Sequence, residues 1–179
     1  MIFTLEALQA DEGDCLLLHY GSGQPPRRIL IDGGPSGVYN RSLQPRLQEL
    51  TAPGSTGPKL ALVMVSHIDA DHITGVLVLF NACDEAHPTQ TDAPAEFTQL
   101  WHNSFAHLVQ PGATPDPASL GGAQSPQTRA AEAIAASVDQ GRQLNESAKS
   151  LNVSVNDGKG GFIGALEDKQ TTFDLKGGL

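Results

Sequence analysis

Leu60-Ala-Leu-Val-Met-Val-Ser-His-Ile-Asp-Ala-Asp-His72 is the stretch on which the reading of this chain turns. Its first six residues are almost wholly apolar and read as a strand buried on both faces. Four potential metal ligands then fall within six positions: His67, Asp69, Asp71 and His72. A buried strand fixes the backbone, and the turn after it aims several side chains at one point. Imidazole and carboxylate suit zinc and also harder divalent ions. The turn can divide the ligands into two pairs, His67 with Asp69 and Asp71 with His72. Two ions about 3.5–4 Å apart can stabilise both the attacking and the leaving oxygen of a hydrolysis. A plain solvated loop with a capping Asp71 is the competing reading. One His and one Asp would fit it; four such residues in six positions do not.

Outward from this segment, the composition bounds the rest. The chain has 179 residues, 39% hydrophobic and 17% charged, enough for one domain with a core. Its net charge of −9 argues against a nucleic-acid-binding surface, which needs clustered Lys and Arg. A phosphate-bearing substrate stays open, because a metal ion supplies local positive charge. No apolar run reaches the roughly 20 residues that span a bilayer. Residues 1–7 read as a strand and not a signal peptide. Cys15 and Cys83 match no zinc or redox spacing. Reduced thiols and a cytoplasmic protein are therefore expected.

Strands are expected over residues 2–8, 15–20 and 28–31, joined by turns as an antiparallel meander. A helix is expected over 39–50, with Leu43, Leu47 and Leu50 on one face. After the ligands, a helix starts near Ile73 with Asp71 as its N-cap. Residues 83–96 read as a loop and 97–103 as a short strand. Residues 110–127 read as a flexible loop or insertion within a single domain spanning 1–179. Helices are expected over 128–138 and 141–151, a turn over 158–161, and strand-like pieces at 162–164 and 172–175. Asp14 reads as a turn carboxylate and His19 as solvent-facing. Trp101, His102 and His107 read as packing groups, with a pocket-mouth role as the alternative.

Ser66-His67-Ile-Asp69-Ala-Asp71-His72-Ile-Thr-Gly75 resembles the metal-binding motif of the metallo-β-lactamase superfamily, usually His-x-His-x-Asp-His. Asp69 in place of the second His resembles the branch containing the hydrolase-like domain of ComEC. Glu12-Gly-Asp14-Cys-Leu-Leu-Leu18 resembles that branch's Gly-Asp-x-x-Leu turn. Ile29-Leu-Ile-Asp32-Gly-Gly34 resembles the superfamily's first motif. The resemblance spans residues 1–80. It implies an α/β fold of the αβ/βα sandwich type. It also implies metal-dependent hydrolysis, with a metal-bound hydroxide attacking an ester- or phosphodiester-type substrate. His67 and Asp69 would ligate one ion and Asp71 and His72 a second, with Asp71 also serving catalysis. Asp32 would support the ligand loop by hydrogen bonding. Zinc is the expected ion, one or two per chain. The extra carboxylate tilts the site toward Mn or Fe.

The superfamily's later motifs supply a further Asp, in a Gly-Asp pair, and a final His. This chain has no Gly-Asp pair after residue 13 and no histidine after His107. The fold is therefore expected to be incomplete at the C-terminus, either as the N-terminal part of a longer protein or as a degenerate form. The expected partner is a small-molecule or phosphodiester substrate. The alternative is a non-catalytic metal-binding or interaction fragment that retains half of the site. A redox di-iron protein of the same fold would carry Glu in the motif, and no Glu lies between residues 50 and 84.

Overall fold

The computed structural model describes residues 1–89, 92–103 and 126–156, with the side chains of 87–89 and 126–134 outside that description. Six strands form one sheet in sequence order: β1 (Ile2–Ala7), β2 (Leu16–Gly21), β3 (Arg27–Ile31), β4 (Leu62–Val65), β5 (Gln99–His102) and β6 (Ser154–Val155). β1, β2 and β3 pair antiparallel, as the turn-rich N-terminus predicts. β3, β4, β5 and β6 pair parallel. β4 lies inside the sheet, which explains its unbroken apolar run.

The helices pack on one sheet face. A π-helical turn (Tyr39–Leu43) runs into α1 (Gln44–Leu50), followed by α2 (Ala70–Thr89) and α3 (Pro126–Ser150). Leu17, Leu30, Val63, Val65 and Leu100 meet Leu43, Leu47, Ile73, Val76, Phe80 and Leu144 in one core. Strand alternation sends the intervening residues to the other face, where Tyr20, Ile29 and Leu62 cluster with Leu18, Met64 and Trp101. Among the described residues no helix is long and apolar enough to cross a membrane.

Three local expectations need correction. Residues 83–89 continue α2 instead of forming a loop. Val76, Leu79, Phe80, Cys83 and Ala86 are all buried at helical spacing, so the core extends the helix through its polar residues. The two helices expected over 128–151 are one. Gly141 costs that helix only about 1 kcal/mol, which burial of Leu144 and Ala148 outweighs. Asp71 does not cap α2. The amides of His72 and Ile73 donate to the carbonyl of Asp69, which places Asp69 at the start and Asp71 in the first turn. The loop expected at 110–127, the turn at 158–161 and the strand-like pieces at 162–164 and 172–175 lie outside the described residues, apart from the first turn of α3.

Candidate metal centre

The C-terminal ends of β3 and β4 build the site. Asp32 follows β3 directly, Ser66 and His67 follow β4, and α2 begins at Ala70. The two strand ends are locked together by the Asp32 amide, which donates to the Met64 carbonyl at 2.8 Å. Asp32 adopts a left-handed backbone (φ 57°), which Asp tolerates better than most residues. That conformation turns its side chain back toward β4. The Gly33 amide donates to the His72 carbonyl at 2.8 Å, and the Gly75 amide to the Gly34 carbonyl at 3.0 Å. A Cβ at Gly75 would lie 1.9 Å from the Gly33 carbonyl oxygen, so this approach of α2 to the β3 end requires glycine.

Asp32 is 1% exposed and accepts three hydrogen bonds. Oδ1 accepts from the Ser66 amide at 2.7 Å; Oδ2 accepts from Ser66 Oγ at 2.6 Å and from His72 Nδ1 at 3.0 Å. A carboxylate partner requires Nδ1 of His72 to carry the proton, which leaves Nε2 as the ligand atom. Ser66 Oγ has given its one proton to Asp32. It therefore accepts from His67 Nδ1, 2.9 Å away, and the same tautomer is selected there. One buried carboxylate thus sets both histidines, His72 directly and His67 through Ser66. Nothing in the local sequence marks Ser66 for this role.

The outward atoms fall into two His–Asp pairs. His67 Nε2 lies 3.6 Å from Asp69 Oδ2, and His72 Nε2 lies 3.5 Å from Asp71 Oδ2. Two ligands on a tetrahedral zinc, each about 2.0–2.1 Å from it, stand roughly 3.3 Å apart. Both pairs have nearly that bite. The two imidazoles are in contact, with ring centroids 3.7 Å apart. His67, Asp71 and His72 also form a trio with ligand atoms all within 4.8 Å of one another. The Asp69 carboxylate pairs with His67 and stands outside that trio. The donors therefore fit either three ligands to one ion or two ligands to each of two.

Asp14 enters the neighbourhood, which its reading as a turn residue did not anticipate. Its carboxylate lies 3.9 Å from His72 Nδ1 and groups with Asp32 and His72. The preceding Gly13 (φ +70°) explains the approach: a Cβ there would lie 1.9 Å from the Asp71 carbonyl oxygen. The first hairpin turn thus presses on the ligand loop. Asp14, Asp32, Asp69 and Asp71 gather here, and among the described residues no Lys or Arg pairs with any of them. A cation relieves that repulsion.

The remaining described histidines have protein partners. His102 faces the helices, 2% exposed, with Nε2 2.9 Å from Asn145 Oδ1. His19 does not face solvent: it is 8% exposed and its Nε2 lies 2.8 Å from Glu6 Oε2. His107 lies outside the described residues, as does the side chain of His87. Both thiols are free and buried. Burial, with the nearby Asp32 charge, pushes Cys15 up to about 12, and burial pushes Cys83 to about 11. Neither is a ligand or a nucleophile at neutral pH.

Residues 27–159 match the family model of the beta-lactamase superfamily domain, most of the chain and all of the ligand loop. No significant match is found among curated proteins or solved structures.

Proposed function

The chain belongs to the beta-lactamase superfamily and has a metallo-β-lactamase-type α/β fold, and from that premise we propose that it is a metal-dependent hydrolase of ester- or phosphodiester-type bonds. The observation that carries the proposal is the ligand geometry. Two His–Asp pairs with chelating separations sit on histidines whose tautomers are selected by one buried carboxylate. Zinc is the ion we assign by default, and the surplus of carboxylates also suits Mn or Fe. A bound divalent ion supplies Lewis acidity and makes a water acidic enough to act near neutral pH. His72 is enclosed, 9% exposed at its side chain, whereas Asp71 and His67 are 43% and 49% exposed. Asp69, at 66%, is more open still, so Asp69, Asp71 and His67 are the groups a substrate meets, and we assign Asp71 to catalysis. Asp32 and Ser66 act by holding the imidazoles. Asp69 in the motif aligns the chain with the ComEC-like branch, which favours a phosphodiester substrate. The buried, free thiols suit a reducing compartment, and we place the protein in the cytoplasm.

A second reading is a metal-binding or interaction module without catalysis. It is favoured by the two-ligands-per-ion arrangement, since catalytic zinc sites usually have three protein ligands. Elemental analysis joined to hydrolysis of bis-p-nitrophenyl phosphate separates the two. Bound Zn, Mn or Fe, with hydrolysis that tracks metal content and is lost in His67→Ala, supports the enzyme. Metal without hydrolysis supports the second reading. A folded protein that takes up no transition metal under any loading condition sinks the enzyme and the metal-binding module alike.

A further inference from the structure

A cavity of about 610 Å³ opens at the end of the sheet opposite the ligand loop. That volume is in the range of small-molecule sites, about 300–1,000 Å³. Arg28, near the start of β3, lines it. Asp32 lies four residues further along, roughly 13 Å at 3.3 Å per strand residue, so the cavity is distinct from the ligand cluster.

Its buried polar groups are unfinished. Arg28 is 7% exposed and Tyr20 fully buried, and both line the cavity. They alternate onto opposite sheet faces, so the cavity reaches round the strand ends. Among the described residues Arg28 Nε and the Tyr20 hydroxyl have no hydrogen-bond partner. Buried polar atoms are nearly always partnered, so the unmet Nε marks Arg28 as a guanidinium that the described residues leave incompletely satisfied. The charge balance points the same way. Glu6 is the acidic group that acts on Arg28, and its oxygens are already engaged. Oε1 accepts from Arg46 Nε at 2.7 Å; Oε2 contacts His19 Nε2 at 2.8 Å and Arg46 Nη2 at 3.2 Å. Arg46 adds a second positive charge that acts on Arg28. Among the described residues Arg28 forms no ion pair, and none of the described residues lining the cavity is acidic. Lys59 stands at the wall, tied only by an exposed 3.8 Å contact to Glu96. In a chain of net charge −9 this is a local positive wall. A buried guanidinium whose acidic neighbour is shared with Arg46 and His19 is costly, and a bound anion supplies a partner of its own.

We propose that this cavity binds a small molecule through an oxyanion, a phosphate or a carboxylate, held by the Arg28 guanidinium, with its body against Pro25, Leu50 and Leu60. Isothermal titration calorimetry of the metal-loaded chain with phenylphosphonate and with benzoate tests it. The two probes share a body and differ in the oxyanion. Saturable binding of either at millimolar concentration is expected, and the tighter probe identifies the oxyanion. Arg28→Met should weaken it by at least about tenfold, and Arg28→Lys, which keeps the charge but loses the fork, by a smaller factor. Asp71→Asn should leave it unchanged. Arg28→Met removes an unpaired buried charge, so its melting temperature should match or exceed that of the parent without ligand. Should that variant fail to fold, Arg28→Lys carries the test. Absence of saturable binding, equal binding by parent and both variants, or loss of binding in Asp71→Asn instead, overturns the proposal.

Discussion

The two ends of the central sheet are built from the same strands and differ in how completely they are satisfied. At the C-terminal ends of β3 and β4, Asp32 takes three hydrogen bonds and every polar atom of the ligand loop's support has a role. At the N-terminal end of β3, Arg28 and Tyr20 are equally enclosed, yet each keeps an orphan atom. The first end is preorganised for a cation by one buried carboxylate, Asp32, that orients the histidines, with the half-exposed carboxylates of Asp14, Asp69 and Asp71 around them. The second holds a cation of its own in need of an anion. The contrast teaches that burial alone does not mark a finished structural site; the tally of partners does.

The sharpest way to break the comparison is at Asp32. Asp32→Ala leaves the Ser66 amide, the Ser66 hydroxyl and His72 Nδ1 without their acceptor in a buried place. We expect a loss of about 3–5 kcal/mol in denaturant unfolding. Asp32→Asn keeps the shape but must point its NH2 at a donor. We expect it to fold and to bind metal about 10–100-fold more weakly. Competition against a coloured chelator measures the affinity. An unchanged affinity in a folded Asp32→Asn protein means that Asp32 only shapes the turn.

A smaller effect is expected at Gly13. Its φ of +70° is left-handed, and an added Cβ would stand 1.9 Å from the Asp71 carbonyl oxygen, which leaves no room for a side chain. Gly13→Ala should cost about 1–3 kcal/mol and lower metal affinity with it, because the displaced backbone carries Asp71 and His72. Gly54 also has a positive φ but has nothing within 4 Å of its Cβ, and makes the control. Gly54→Ala should cost stability without touching metal affinity. Equal loss of affinity in both would show that the first turn does not press on the site specifically.

These residues also show what could be read in advance. His67, Asp69, Asp71 and His72 were legible because they are adjacent in sequence and a short turn brings them together. Asp32 was legible through its Asp-Gly-Gly context and the resemblance that context carries. Ser66 was visible but not interpretable, since its role depends on Asp32, 34 residues away, taking its proton. The contact of Gly13 with Asp71 joins two turns and has no local mark. Arg28 carried a signal that went unused: in Arg27-Arg28-Ile29-Leu30-Ile31 it alternates onto the same face as the buried Leu30, which places a guanidinium on the helix-covered side. The merging of α3 across Gly141 and the extension of α2 through 83–89 were hidden because tertiary burial overruled local polarity.

The gentlest test concerns the group that stands between Arg28 and neutrality. Burial raises the Glu6 pKa, but hydrogen bonds from Arg46 and His19 outweigh it and hold the carboxyl below its usual 4.5. A depressed folded-state pKa means that Glu6 stabilises the fold at pH values above 4.5, and that this contribution is lost as pH falls through the folded value. Denaturant unfolding of parent and Glu6→Gln should therefore differ most at about pH 6 and converge in strong acid. The side chain is 27% exposed, so solvent screens the interaction and the gap should be modest. A gap that widens on acidification would reverse the assigned direction. The same substitution sharpens the comparison of the two sheet ends. Removing the one carboxylate that acts on Arg28 leaves that cation more exposed to an incoming anion, so Glu6→Gln should bind the favoured oxyanion probe more tightly than the parent at neutral pH. Tighter binding in Glu6→Gln and weaker binding in Arg28→Met would together place the unmet charge on Arg28 and not on the rim lysine.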